Sequence, residues 1–192
     1  MEDSRILYEN EQNERKCAVI VDAVIPTFRP GKRLMEIIRL LGRQTVPVRK
    51  VRIINSGRDG FESFLREECL TEQQLLDSFP FLVLEHIRME EFDHGGTRGR
   101  AFAECGGADY VLTMTQDALP KDEMLVEELL KPLEADEKTA VSYARQLPNP
   151  DAPCEERISR AFNYPDQPRR KTQADTKTLG IKAYFCSNVC AL

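Results

Sequence analysis

Nine consecutive residues, Cys17-Ala-Val-Ile-Val-Asp-Ala-Val-Ile25, make an apolar run that only Asp22 interrupts and that Pro26 closes. A strand with one wet face alternates apolar and polar side chains. A continuous run marks a strand buried on both faces, and such strands belong to sheets covered by helices on each side. The rest of the chain agrees. Leu34, Ile37, Ile38 and Leu41 recur at helical spacing, which predicts a helix from near Pro30 to near Gly42. Val48–Asn55 reads as a second strand, stopped by the loop Ser56-Gly-Arg-Asp-Gly60. Residues 61–78 read as helical and acidic, and Phe81-Leu-Val-Leu84 as a short third strand. A helix opening at Gly95 and a strand from Tyr110 follow. Pro120, Asp122 and Glu123 predict the start of a helix with Leu125, Leu129 and Leu133 on one face. Thr139–Tyr143 and Ile181–Cys186 are expected to be strands. Alternation of this kind implies an α/β fold with parallel strands in a three-layer sheet. Two segments lack a regular pattern: residues 1–16, expected to be a loose arm, and Gln146–Thr178, expected to be a long loop excursion.

Composition narrows the function classes. A chain of 192 residues with 41% hydrophobic content can bury a core. A net charge of -5 argues against general nucleic-acid affinity, which draws on a basic face. No apolar run is long enough to cross a bilayer, and the charged start Met1-Glu-Asp-Ser-Arg5 is not a signal peptide. These point to a cytoplasmic protein, with peripheral attachment at the inner face of the cell membrane left open. Six cysteines and only two histidines, His86 and His94, give no zinc pattern. The cysteines read as small buried apolar residues.

In such sheets ligands sit at the carboxyl ends of the strands. Thr27, Asn55, His94 and Asp117 all fall just past expected strand ends. Phe92-Asp-His-Gly-Gly-Thr-Arg98 reads as a glycine turn opening a helix, whose free N–H groups and dipole favour an anion. Tyr110–Met114 then delivers Asp117, a carboxylate that can hold a hard divalent cation against a diphosphate. Asp117 has a second reading, as the cap of the helix after Pro120. Arg98 in a helix's first turn opposes the dipole, a cost that a phosphate contact would offset. His94 is either structural or a contact to phosphate or sugar. Arg145 and Gln146 either reach toward sugar or acceptor, or pair under the long loop. Arg169-Arg-Lys171 either meets anionic headgroups or is a solvated loop.

Val24-Ile-Pro-Thr-Phe-Arg-Pro30, Val51-Arg-Ile-Ile-Asn-Ser-Gly-Arg-Asp-Gly60, the His94-Gly-Gly-Thr-Arg98 stretch, Thr113-Met-Thr-Gln-Asp-Ala-Leu-Pro120, Ala144-Arg-Gln-Leu-Pro148 and Cys186-Ser-Asn-Val-Cys190 together resemble the family 2 glycosyltransferases, and among them bacterial rhamnosyltransferases of surface polysaccharides. The resemblance runs from about Cys17 to the end. It implies a GT-A fold, a Rossmann-like three-layer α/β/α arrangement with a mostly parallel sheet, over residues 17–192, with an acceptor part and an acidic base beyond Leu192. Pro26, Thr27, Asn55 and Asp59 are implied at the nucleoside, and His94, Gly95, Thr97, Arg98, Gln116 and Arg145 at diphosphate and sugar. Asp117 is implied to hold Mg2+ or Mn2+, with dTDP-L-rhamnose as donor and a glycan or lipid-linked glycan as acceptor. Two departures from the family pattern stand out: Thr115 replaces the first acid of the Asp-x-Asp element, and Asn55 replaces an acid. Two other readings stay open. One is a sugar-phosphate nucleotidyltransferase, which the single glycine in Pro26-Thr-Phe-Arg-Pro-Gly-Lys32 disfavours. The other is a non-catalytic donor-binding module.

Overall fold

The computed structural model describes residues 19–187 and 189–191. The arm expected over residues 1–16 and the start of the apolar run lie outside them. Four parallel strands form the centre: β1 (Val21–Phe28), β2 (Val48–Ser56), β3 (Leu82–Ile87) and β4 (Tyr110–Thr113). Two short strands, β5 (Ser142–Tyr143) and β6 (Cys190–Ala191), complete a sheet of order β3-β2-β1-β4-β6-β5, in which β6 runs antiparallel to both neighbours. The helices are α1 (Lys32–Leu41), α2 (Arg58–Glu67), α3 (Glu72–Ser78), α4 (His94–Ala103), α5 (Leu125–Ala135), α6 (Cys154–Asn163) and the single turn α7 (Thr176–Leu179).

The two faces of the sheet carry unequal loads. Val21, Ala23 and Ile25 point to one side with Val51 and Ile53. There they pack with Leu34, Ile37, Ile38 and Leu41 of α1, Phe61 and Phe64 of α2, Leu75 of α3, and Leu129 and Leu133 of α5. Val24, Ile54 and Ile87 point to the other side and meet Ala101 of α4 and Cys105 just beyond it. This is the three-layer arrangement the apolar run demanded, with α4 alone in its second cluster. Asp22, the one acid in that run, is fully buried. Its carboxylate accepts from Arg49 Nε at 2.9 Å and Nη2 at 2.8 Å, which satisfies the charge within the protein.

Several expected elements move. The acidic stretch over residues 61–78 is two helices, because Thr71 caps α3 through a reciprocal pair with Gln74. β3 runs on to Ile87 rather than ending at Leu84. Its polar residues Glu85 and His86 find partners, Glu85 with Arg100 and His86 with Asn55 and Glu72. Pro120, Asp122 and Glu123 precede α5 without entering it, and the Asp122 carboxylate accepts from Met124 N–H at 3.0 Å. The strand expected over Thr139–Tyr143 shrinks to two residues. Ile181–Cys186 is not a strand: Gly180–Tyr184 makes a 3-10 turn entered through Gly180 at φ 56°. Ile181 is 86% exposed there, and the strand that joins the sheet is β6 instead. The patternless excursion contains α6, which buries none of its residues. Its Ile158 and Phe162 face outward, so no core-facing stripe marks it. Among the described cysteines, Cys105 and Cys190 are buried, whereas Cys69, Cys154 and Cys186 are exposed, against the expectation that all are core residues.

Candidate functional site

The carboxyl edge of the sheet gathers three loops. β1 ends where β4 peels away. Val24 O still accepts from Met114 N–H at 3.0 Å, and Pro26, two residues on, has no N–H to leave unpaired on that side. Beyond it, Thr27 is buried and Phe28 exposed. Arg29 then adopts φ 46°, the left-handed region, and its guanidinium lies over the Phe28 ring at 5.1 Å. The loop packs tightly on the first turn of α2: a Cβ on Gly60 would come within 2.9 Å of Arg29 Cα. That approach brings the loop against the turn carrying Asp59, which is exposed.

Gln116 ties the third loop to the first. Its Oε1 accepts from Phe28 N–H at 2.9 Å and its Nε2 donates to Phe28 O at 2.9 Å, so the side chain extends the ladder that the departing strand left open. Both of its groups are thereby spent within the protein. The turn closed by Ala118 N–H on Thr115 O at 3.2 Å puts the next residue, Asp117, at its exposed tip. No hydrogen bond or ion pair to the Asp117 carboxylate occurs among the described residues, and α5 starts eight residues later. The capping alternative for Asp117 is therefore removed; the N-cap of α5 is Met124, and no side chain among the described residues caps that helix.

The glycine turn is more occupied than its sequence suggests. α4 opens at His94, capped by Asp93, whose carboxylate accepts from Gly96 N–H and whose backbone O accepts from Thr97 N–H at 2.9 Å. Thr97 Oγ1 accepts in turn from Asp93 N–H at 3.3 Å. The expectation of free N–H groups is corrected at Gly96, whose amide is taken by the helix's own Asp93 carboxylate. Gly96 fits because a Cβ there would lie 2.9 Å from Asp93 Oδ2, whereas at Gly95 the nearest atom is 3.6 Å away. The exposed His94 ring packs edge-on to Phe92 at 4.9 Å. Arg98 donates to His94 O at 3.1 Å. Burial pushes the Cys190 thiol up to about 11, with the Arg98 charge acting weakly in the opposite direction.

Arg145, past β5, forms an ion pair with Asp166, and Gln146 accepts from Arg160. Both are thus engaged under the excursion. Lys171 lies over the rings of Tyr143 and Phe185, and Arg170 pairs with Asp136. Two of the three residues of that basic cluster are bound into the fold. Among the described residues no three His, Cys, Asp or Glu side chains group to hold a metal. A single exposed carboxylate such as Asp117 fits a Mg2+ or Mn2+ ion that takes one carboxylate and fills its remaining positions with water and substrate phosphate. Sequence reading missed Asp93, three residues before the Gly96 amide that it caps, and His86, a polar residue on the inner face of an apolar strand.

The profile of glycosyl transferase family 2 matches residues 22–192. The O-antigen chain rhamnosyltransferase RfbN of Salmonella typhimurium is 30% identical over 168 residues, 88% of this chain and 50% of that protein. The O-antigen chain rhamnosyltransferase WbaN of Salmonella anatum is 41% identical over 102 residues, 53% of this chain and 32% of that protein. The chain thus spans about half the length of the first of these relatives and about a third of the second. Among solved structures, glucosyl-3-phosphoglycerate synthase from Mycobacterium tuberculosis in complex with UDP aligns over 95% of this chain and 59% of its own, at 14% identity and a TM-score of 0.50. That likeness bears on the fold, and the profile on the family: the chain belongs to glycosyl transferase family 2.

Proposed function

We propose that this chain binds a nucleotide-diphosphate sugar, dTDP-L-rhamnose, at the carboxyl edge of the sheet and serves transfer of the sugar to a hydroxyl of a growing surface glycan. The observation that carries this reading is Asp117. It is an exposed carboxylate at a turn tip past β4, without an intramolecular partner among the described residues. A divalent ion held there would stabilise the charge that develops on the departing diphosphate. The acceptor oxygen attacks the anomeric carbon from the face opposite the leaving group. The C–O bond to the diphosphate breaks with its electron pair, the acceptor proton passes to a base, and configuration inverts. The chain's own residues orient and exclude: Phe28 and Arg29 form the loop wall, Asp59 lies at the next turn, and His94 and Arg98 stand at the start of α4. Calorimetric titration with dTDP, UDP and GDP, each with Mn2+ and with EDTA, tests the reading. Metal-dependent binding of dTDP above the others is expected, and pyrophosphate release from a nucleoside triphosphate and a sugar phosphate would transfer the site to nucleotidyl chemistry.

Among the described residues no helix is long and apolar enough to cross a membrane. Peripheral attachment, which a lipid-linked acceptor would require, is supported by the outward face of α6 and the turn beside it. Phe162 is 70% exposed, and Lys182 lies over its ring at 4.0 Å, an aromatic and a cation side by side as at a lipid interface. Sedimentation with vesicles containing anionic lipid is expected to bring the protein down. Phe162→Ser should weaken that binding, and indifference to both lipid charge and this substitution would sink the attachment.

A further inference from the structure

The sheet's carboxyl edge carries a row of polar side chains on its inner, core-facing side. Register sets Thr27 beside Asn55 and Asn55 beside His86. Asn55 is 0% and Thr27 2% exposed, so Asn55 cannot itself touch a ligand in this structure. A row so placed is costly unless each donor meets an acceptor, and here the partners admit a single assignment. The Gly57 carbonyl oxygen lies 3.1 Å from the Asn55 amide. A carbonyl only accepts, so the near atom is Nδ2, which fixes which way the amide faces. Its second hydrogen points at His86 Nδ1, 3.1 Å away, so Nδ1 carries no proton. The ring's proton is then on Nε2, 3.2 Å from the Glu72 carboxylate. Asn55 Oδ1 accepts the Thr27 hydroxyl at 3.1 Å. The charged groups facing the ring are Glu72 and, beyond it, Arg58, 3.8 Å from that carboxylate. Phe61 holds the imidazole edge-on at 5.2 Å.

We infer that His86 is a positioning residue for the donor pocket: its neutral ring, protonated on Nε2 toward Glu72, locks the Asn55 amide, and through it the Gly57 carbonyl and the buried Thr27 hydroxyl beneath the pocket. The inference rests on the reading of the β1 and β2 ends as the nucleotide site. Gly57 sits at φ 83° and is the N-cap of α2, so whatever holds its carbonyl also sets the turn that carries Asp59. A proton on Nδ1 would face donor to donor. The amide would have to turn over, set Oδ1 against the Gly57 oxygen and leave that carbonyl without its donor. An Nδ1 acceptor is thus what a neutral amide at position 55 requires of its neighbour.

Nitrogen-15 NMR of the imidazoles tests the assignment without any nucleotide. The chain holds two histidines, and His94→Gln identifies which signals belong to His86. At neutral pH the expected His86 pattern is an unprotonated Nδ1 and a protonated Nε2. Asn55→Asp puts an acceptor against Nδ1 and is expected to move a proton onto it. A wild-type ring protonated on Nδ1, or a tautomer indifferent to Asn55→Asp, overturns the inference. The second arm measures dTDP affinity. His86→Phe keeps the ring against Phe61 but offers no acceptor, and is expected to weaken binding by about tenfold or more, the effect of leaving one buried donor unpaired. His86→Asn, with its oxygen near the Nδ1 position, is expected to recover much of that loss. Equal affinity in wild type and His86→Phe would remove the positioning role. Failure of the wild type to bind any nucleotide would instead remove the pocket reading, and the NMR pattern would still decide the hydrogen-bond row.

Discussion

Asp117→Asn is expected to abolish metal-dependent nucleotide binding, lowering dTDP affinity in Mn2+ by about 100-fold or more while leaving the value in EDTA unchanged. The substitution keeps the size of the side chain and takes away its charge. A divalent ion bound by one protein carboxylate and substrate phosphate has no second protein ligand to fall back on, and about 100-fold corresponds to roughly 2.7 kcal/mol. The fold should not notice. Asp117 is exposed at a turn tip, caps no helix, and pairs with no cation among the described residues, so the unfolding free energy should stay within about 0.5 kcal/mol of wild type. Calorimetry with and without chelator, paired with urea denaturation, separates the two effects. Full metal-dependent binding in the variant would dismiss Asp117 as the ligand. A large loss of stability would mean that its role is structural after all.

Asp117 and the residues near it divide into two kinds, and the division accounts for what the sequence could and could not disclose. Thr27, Asn55, Thr97 and Gln116 have spent their polar groups on the protein: on each other, on the Asp93 amide, or on the Phe28 backbone. They frame the site. Among the described residues the carboxylates of Asp59 and Asp117 are exposed without an intramolecular partner, and His94 is exposed at the start of its helix. These can meet a ligand. Position past a strand end is visible in a sequence, so both kinds could be named there as candidates. Whether a side chain is already engaged depends on partners 28 or 88 residues away, and spacing along the chain does not encode that.

The same limit explains the fold. β1, α1 and β2 follow from periodicity because their burial is set by their own sequence, from Val21 to Ile25 and from Leu34 to Leu41. β6 is two residues long; it exists because β4 and β5 offer it edges, and nothing within Cys190–Ala191 announces it. Ile181–Cys186 has the better strand composition, yet Gly180–Tyr184 winds into a 3-10 turn outside the sheet. The Asp93 cap was missed for a different reason: the glycines drew the reading toward an anion from outside, when the chain supplies one at the residue before the helix. A diphosphate approaching α4 therefore meets a helix end already carrying a carboxylate. In the proposed site that shifts the burden of anion binding onto a metal held by Asp117 and onto Arg98.

Phe61→Ala is expected to give a larger stability loss than any change at an exposed site residue, about 3–5 kcal/mol. Phe61 has no exposed surface. It packs edge-on to Phe64 at 5.4 Å and to His86 at 5.2 Å, so it joins the core of α2 to the polar row beneath the pocket. Removing it leaves a ring-sized hole among Phe64, Leu75 and the β2–β3 face, and the neighbours on the rigid sheet cannot close in fully. For a chain of 192 residues each kcal/mol shifts the melting point by roughly 2–4 °C, so a fall of about 6–20 °C should accompany the lower urea midpoint. Phe61→Leu keeps most of the volume and should cost less than about 1.5 kcal/mol. It still loses the ring edge that holds the imidazole, so its dTDP affinity should fall further than its stability alone accounts for. If Phe61→Ala cost less than about 1 kcal/mol, α2 would not be anchored through this ring, and the link between core packing and the His86 row would have to be abandoned.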